Sequence, residues 1–217
     1  RREGDVAPDQ VYFPAEDSDL LLRAALREVR PDDRVIEVGT GSGYVAAAVQ
    51  DRVASLIATD INPYAVVVAR ARGVAVVRTD LVSGLSSPFD LILFNPPYLP
   101  TLPEERLDDW LEYALDGGPT GRAVIERLVA DVGRVLSPLG RILLLVSSLT
   151  DPDAVRELFA RQGFVSFIVD TESLEGETLF VLRAMRDLCR MREQPGSSPD
   201  LLERHPRPGV SSEMNES

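Results

Sequence analysis

Lysine is absent from this chain, so all 23 of its basic residues are arginine. Cysteine and histidine occur once each, as Cys189 and His205. A single thiol excludes an internal disulfide and a thiolate metal cluster. A single histidine, in a proline-rich tail, excludes a histidine-based triad or zinc site within the chain, so no metal is expected. Apolar runs are too short to span a bilayer. No charged–apolar–small pattern opens the chain as a signal peptide does, which makes the cytoplasm the default location and leaves no membrane role. Thirty-five acidic residues give a formal net charge of −12. Nucleic-acid binders present clustered basic residues to phosphates, so a naked nucleic acid is repelled overall and no direct contact with one is expected. A highly acidic surface suits a salty cytoplasm, and a GC-rich genome exchanges Lys codons for Arg; either accounts for the missing lysine.

What is present reads as one domain with a tail. Residues 1–10 form a polar leader, 11–184 the domain, and 185–217 an extension that is Pro-, Ser- and charge-rich and disordered after 195. Leu20, Leu21, Ala24, Ala25 and Leu26 make a helical stripe over 17–29, capped by Asp17 or Ser18. Strands and helices then alternate: strand 35–38, helix 44–51, strand 56–59, helix 63–71, strands 74–77 and 89–94, helix 119–136, strand 140–147 and helix 152–162. Such alternation predicts an α/β fold with a doubly wound, Rossmann-like sheet. The final strands, 164–170 and 177–183, are too close for a crossover helix and form an antiparallel hairpin.

Glu37-Val38-Gly39-Thr40-Gly41-Ser42-Gly43 is a strand end running into a glycine-rich turn. Glycines let the backbone turn sharply and approach a ligand. Tyr44 stands where the dinucleotide fingerprint needs its third glycine, which counts against a dehydrogenase. Glu37 can receive a cationic amine, as on an amino-acid-bearing ligand. Asp60 ends the second strand, where Rossmann-like sheets bind ribose hydroxyls. Asp80 and Leu81 follow the third, placed for an adenine amino group and ring. Singly, each acid reads as a cap or turn residue; around one glycine turn they read together as an S-adenosyl-L-methionine site.

Asn95-Pro96-Pro97-Tyr98 follows the buried strand 89–94. The Asn carbonyl and the Pro96 carbonyl, freed by two prolines that lack N–H donors, can both accept from a planar NH2 group. Tyr98 supplies a flat wall. The plain alternative is a proline-terminated strand. Loop 99–118, with Trp110 as its expected core anchor, has the length of a lid.

These motifs together resemble the class I methyltransferases that act on exocyclic or amide nitrogen. Within them the chain resembles the HemK-type protein glutamine methyltransferases, in the branch found in archaea and eukaryotes. Val11-Tyr12-Phe13-Pro14-Ala15-Glu16-Asp17-Ser18 matches the branch's N-terminal signature, with Ser18 where Thr is common. Gly117-Gly118, Gly121-Arg122 and Gly176-Glu177-Thr178-Leu179 match later landmarks. The resemblance implies a seven-stranded sheet with an antiparallel last strand. It implies cofactor contacts from Ser18, Glu37, Gly39, Gly41, Asp60, Asp80, Leu81 and Asn95, and a substrate clamp of Asn95, Pro96, Pro97 and Tyr98, with Asn95, Pro96 and Tyr98 as the catalytic set. The implied substrate is the Gln of a Gly-Gly-Gln loop in the class I translation release factor. The implied partner is a small zinc-binding activator protein joined through the edge strand near Val74–Val77, which is apolar on both faces. Nucleic-acid amino-methylation, lysine methylation and a non-catalytic cofactor-fold subunit are the competing readings.

Overall fold

The computed structural model describes residues 10–86, 88–101 and 109–192. The polar leader up to residue 9 and the tail beyond 192 lie outside the described residues. The chain divides into two units at Asp187. In the second, Leu188–Arg192 forms a short helix, α7.

In the first unit, helix α1 (Glu16–Glu28) leads into β1 (Arg34–Val38), α2 (Tyr44–Val49), β2 (Ser55–Asp60), α3 (Pro63–Ala71), β3 (Val76–Arg78) and β4 (Phe89–Phe94). Then come α4 (Trp110–Tyr113), α5 (Ala123–Val135), β5 (Leu136–Ser147), α6 (Pro152–Arg161), β6 (Phe164–Ser173) and β7 (Thr178–Arg186). The strands form one seven-stranded sheet in the order β3-β2-β1-β4-β5-β7-β6. β1 to β5 run parallel, and β7 is antiparallel to both β5 and β6. This is the architecture expected of the alternation, with the last strand inserted between β5 and β6.

Helices on both sides explain why the central strands carry apolar residues on both faces. On one face Ile36, Ile92, Phe94, Ile142 and Leu144 pack with Leu128 and Val132 of α5 and Phe159 of α6. On the other, Val35, Leu91, Leu93, Leu143 and Leu145 pack with Leu20, Leu21 and Ala24 of α1 and Val45 of α2.

Several boundaries differ from the sequence reading. The helix expected from 119 begins at Ala123, because Gly118 and Gly121 adopt positive φ and hold the chain in turns. β5 starts at Leu136 rather than 140, since the chain leaves α5 straight into the sheet. β3 is Val76–Arg78, one to two residues later than 74–77; Val74 is buried against Ala69 and Ala46 instead. Neither Asp17 nor Ser18 caps α1: the N-cap is Ala15, and the Asp17 carboxylate turns elsewhere. Within loop 99–118, of which 102–108 lie outside the described residues, Leu99 and Thr101 bond to the backbone of 115–118.

At the amino ends of the strands, Arg141 binds Asp33 through both nitrogens, at 3.0 and 2.6 Å. It also reaches Glu28 at 3.3 Å and the Asp90 carbonyl at 3.1 Å. The Arg141 and Asp33 side chains are each 4% exposed, so neither charge has water to fall back on. Removing one partner from such a pair costs about 3–5 kcal/mol. Arg141→Ala is expected to lower the free energy of unfolding by that amount in urea titration, while Arg156→Ala, at an exposed pair, changes it by less than about 1 kcal/mol.

Candidate active site

Apolar burial confines polar side chains to the strand ends, and the carboxyl ends of β1 to β4 open onto one cavity of about 410 Å³. That volume is in the range that encloses a small organic ligand. Ser18, Glu37, Gly39, Gly41, Asp60, Asp80, Leu81, Asn95, Pro96, Pro97 and Tyr98 all line it.

The glycine turn between β1 and α2 has positive φ at Gly39, Gly41 and Gly43. At Gly43 an added Cβ would stand 2.9 Å from the Ala69 Cβ, so this glycine lets α2 close on α3. Glu37 occupies a strand position where its neighbours on the same face are core residues. Its Oε2 accepts from Thr40 Oγ1 at 2.5 Å and the Ala46 N–H at 3.0 Å. Burial pushes this carboxyl up to about 7, against the pull of those two bonds, and the nearby Asp60 charge adds to the rise. Asp60 accepts from the Gly41 and Asn62 backbone N–H groups, both at 2.8 Å, pinning the glycine turn to the start of α3. Burial raises its pKa too, and those backbone donors counter it.

Asp80 accepts from Arg127 of α5 through one oxygen. Leu81 beside it has φ 50, a left-handed conformation that costs a branched residue of order 1–3 kcal/mol and clusters at ligand sites.

At the end of β4, Asn95 donates from Nδ2 to Asp17 Oδ2 at 3.0 Å. Its Oδ1 is buried and has no hydrogen-bond partner among the described residues. Burial, then the charges of Asp17, Glu177 and Glu16, raise the Tyr98 pKa above the usual phenol range, so the ring stays neutral. Behind it, Gly121 has φ 70, and a Cβ there would lie 2.5 Å from the Tyr98 carbonyl oxygen and 2.7 Å from Thr150 Cγ2. Only glycine lets this turn support the clamp. Glu177, from the hairpin landmark, lines the cavity and accepts from Ser147 Oγ at 2.5 Å.

The sequence reading missed Asp17, Tyr12, Arg127, Trp110 and Tyr113 as cavity residues. Asp17 and Tyr12 stand in a quoted signature, but spacing does not reveal what a carboxylate faces. Trp110, expected as a core anchor, is half-buried on the cavity wall, edge-on to Tyr113 at 5.9 Å. The assembled site combines an acid-rich half, suited to a cationic ligand, with an amide acceptor beside aromatic walls. Among the described residues no His/Cys/Asp/Glu group could hold a metal.

The methyltransferase small domain model matches residues 15–106. A candidate protein N5-glutamine methyltransferase from Methanocaldococcus jannaschii is 36% identical over 82% of this chain and 92% of its own. Methyltransferase HEMK2 from Homo sapiens is also 36% identical, over 83% of this chain and 92% of its own. Among solved structures, E. cuniculi Mtq2, in a complex with Trm112 responsible for methylating the translation termination factor eRF1, superposes with a TM-score of 0.69. It is 29% identical, across 82% of this chain and 99% of that one.

The Glu37 carboxyl, at about 7 in the fold against an ordinary 4.5, holds a proton that the unfolded chain has released. Stability therefore falls as pH rises from about 4.5 to 7. Glu37→Gln lacks this fall. Urea midpoints of both proteins at about pH 5 and pH 7.5 test it: a wild-type-minus-variant difference that stays constant would reject a buried, proton-holding Glu37.

Proposed function

This chain belongs to the protein N5-glutamine methyltransferases, and from that premise we propose that it moves the S-adenosyl-L-methionine methyl group onto the side-chain amide nitrogen of a glutamine. The substrate is the Gly-Gly-Gln loop of the class I translation release factor, in the cytoplasm. The observation that carries the proposal is the Asn95 side chain, whose buried Oδ1 has no partner among the described residues. An unmet buried carbonyl costs about 1–3 kcal/mol, which a substrate NH2 recovers.

The donor set fits the cofactor. Its sulfonium and ammonium are positive, and Glu37, Asp60 and Asp80 surround the cavity's acid-rich half. Glu37 braces the glycine turn while presenting negative charge to the amine, and Ser18, Gly39 and Gly41 shape the wall. Asp60 retains lone pairs for ribose hydroxyls; Asp80 has one oxygen not engaged by Arg127, for the adenine amino group, with Leu81 against the ring. When bound, the cofactor supplies an electrophilic methyl on a good leaving group. An amide nitrogen is a weak nucleophile, so the chain's contribution is positioning and electrostatics. Asn95 Oδ1 and the Pro96 carbonyl accept the two N–H bonds and aim the nitrogen; Pro97 stiffens the turn, and Tyr98 packs on the amide plane. Once methylated, the nitrogen would release its extra proton to water. No strong base is needed.

β3 is the sheet's edge, and Val77 on it and Val67 on α3 are 42% and 51% exposed. The Ala75 carbonyl and Thr79 N–H bond to β2, so the backbone groups of Val76 and Arg78 face outward. Arg70 holds the Val76 carbonyl at 3.0 Å. An open, apolar edge of this kind invites a second chain. We assign it to a small zinc-binding activator, as a heterodimer.

Incubation with labelled S-adenosyl-L-methionine and the release factor, with and without the activator, tests both parts. Label is expected on the factor, lost in its Gln→Ala loop variant, and dependent on the activator. Asn95→Ala is expected to lower the rate by about 1000-fold while cofactor affinity in calorimetry changes little. Label on RNA or DNA instead of the factor would mean that the clamp holds a base. A chain fully active alone would remove the partner.

A further inference from the structure

We infer that Asp17 is the positioning residue that sets which end of the Asn95 amide meets the substrate, an inference that rests on the glutamine reading above. The geometry is a chain of donors and acceptors with one solution. Asn95 Nδ2 lies 3.0 Å from Asp17 Oδ2. A carboxylate only accepts, so the group facing it must be the NH2, and the carbonyl is left for the other side. Asn side chains are otherwise free to turn over, since their two ends have the same shape. Here the orientation follows from charge.

Asp17 is itself held. It is 4% exposed at the start of α1. Its Oδ1 accepts from the Ser18 backbone N–H at 2.6 Å and from Ser18 Oγ at 3.2 Å. Its Oδ2 also accepts from the Tyr12 hydroxyl at 3.0 Å. Burial and the Asp17 charge raise the Tyr12 pKa, so this phenol remains a donor. The string Tyr12 to Ser18 is thus a bracket that presents one carboxylate oxygen to Asn95. The carboxylate also polarises the amide it binds, which strengthens Oδ1 as an acceptor while the target nitrogen gains positive charge.

Substitution exposes the logic. In Asp17→Asn the Ser18 N–H still requires an oxygen at the Oδ1 position, so the new nitrogen falls at Oδ2. Facing a donor, Asn95 must turn its oxygen inward and offer NH2 to the substrate's NH2, and two donors cannot bond. Adding Asn95→Asp restores an acceptor on both sides, because a carboxylate can take the NH2 at 17 with one oxygen and the substrate with the other.

Steady-state kinetics of the full chain with its activator and the release factor test this. Asp17→Asn is expected to lower kcat on the order of 100-fold, with cofactor Kd and substrate KM within about threefold. Asn95→Asp alone is expected to be as impaired. The double variant is expected to recover at least about tenfold over Asn95→Asp, whereas independent structural roles would make the losses multiply. Multiplying losses, or an Asp17→Asn protein with more than half the wild-type kcat, would overturn the assignment. If the wild type labels no release factor, the substrate reading fails and a second measurement decides the lock. In the NMR spectrum of chain labelled at asparagine, one Asn95 side-chain proton should be shifted downfield and slow to exchange, and lose both properties in Asp17→Asn. A wild-type Asn95 pair that is ordinary and fast-exchanging would overturn it whatever the substrate.

Discussion

Two-sided burial of the parallel strands is the constraint from which the rest follows. α1 and α2 cover one face and α5 and α6 the other, so β4 carries Leu91 and Leu93 to one side and Ile92 and Phe94 to the opposite one. An unpaired polar side chain placed between those layers costs several kcal/mol. Chemistry is therefore pushed to the strand ends, and the two ends are used differently. The amino ends hold the Arg141–Asp33–Glu28 network, in which each charge is matched within the fold. The carboxyl ends hold Glu37, Asp60, Asp80 and Asn95 around the cavity, where matching is left incomplete. One end fixes structure, and the other keeps affinity available for ligands.

The same constraint decides what was legible in the sequence. Unbroken apolar runs, alternating with amphipathic helices, specify a doubly wound sheet, and the residue after each run is then a strand-end residue. Asn95 follows its run directly, Asp60 ends β2, Asp80 stands two residues past β3 and Glu37 one residue before the end of β1; all could be placed near strand ends, and all line one cavity. Asp17 and Arg127 could not, because each arrives from a helix that packs over the strand ends. Which turn of a helix overhangs a cavity depends on packing, not on periodicity. Asp17 looked like a cap because its position beside an apolar stripe is where caps stand; the Asn95 amide competes for it successfully. Similarly, Gly117, Gly118 and Gly121 were visible as landmarks without a reason. For Gly121 the reason is a collision with Tyr98 and Thr150, more than 20 residues away in either direction, that no local pattern encodes; Gly117 and Gly118 instead make room for Gly121 and Ala123 within the turn itself.

Charge gives the acidic composition a local meaning as well as a global one. Within the cavity, negative groups outnumber the single arginine, Arg127, among the described lining residues. Repulsion among them shows in Glu37, where burial and Asp60 together hold the carboxyl near neutrality. A cationic ligand relieves both effects at once, because it lowers the cost of ionising Glu37 and offsets Asp60. Such a site would favour a sulfonium over a neutral thioether. Phosphate-bearing ligands meet the opposite field, and the third glycine of the turn is already spent on letting α3 approach.

On the proposed reading, placement of a weak nucleophile demands rigidity, and Asn95 and Tyr98 draw it from three directions. β4 fixes the backbone up to Phe94, the residue before Asn95, through parallel pairing on both sides, with β1 and β5. The bracket at the start of α1 reaches its side chain through Asp17. From behind, the turn at Gly121 sits so close to the Tyr98 carbonyl that a methyl group has no room. Each contact comes from a different part of the chain, separated by 78 residues in the case of Asp17 and Asn95. On the proposed reading an amide lone pair gains little from a base, so the precision of these supports, rather than an acid–base residue, is what the fold would offer the reaction.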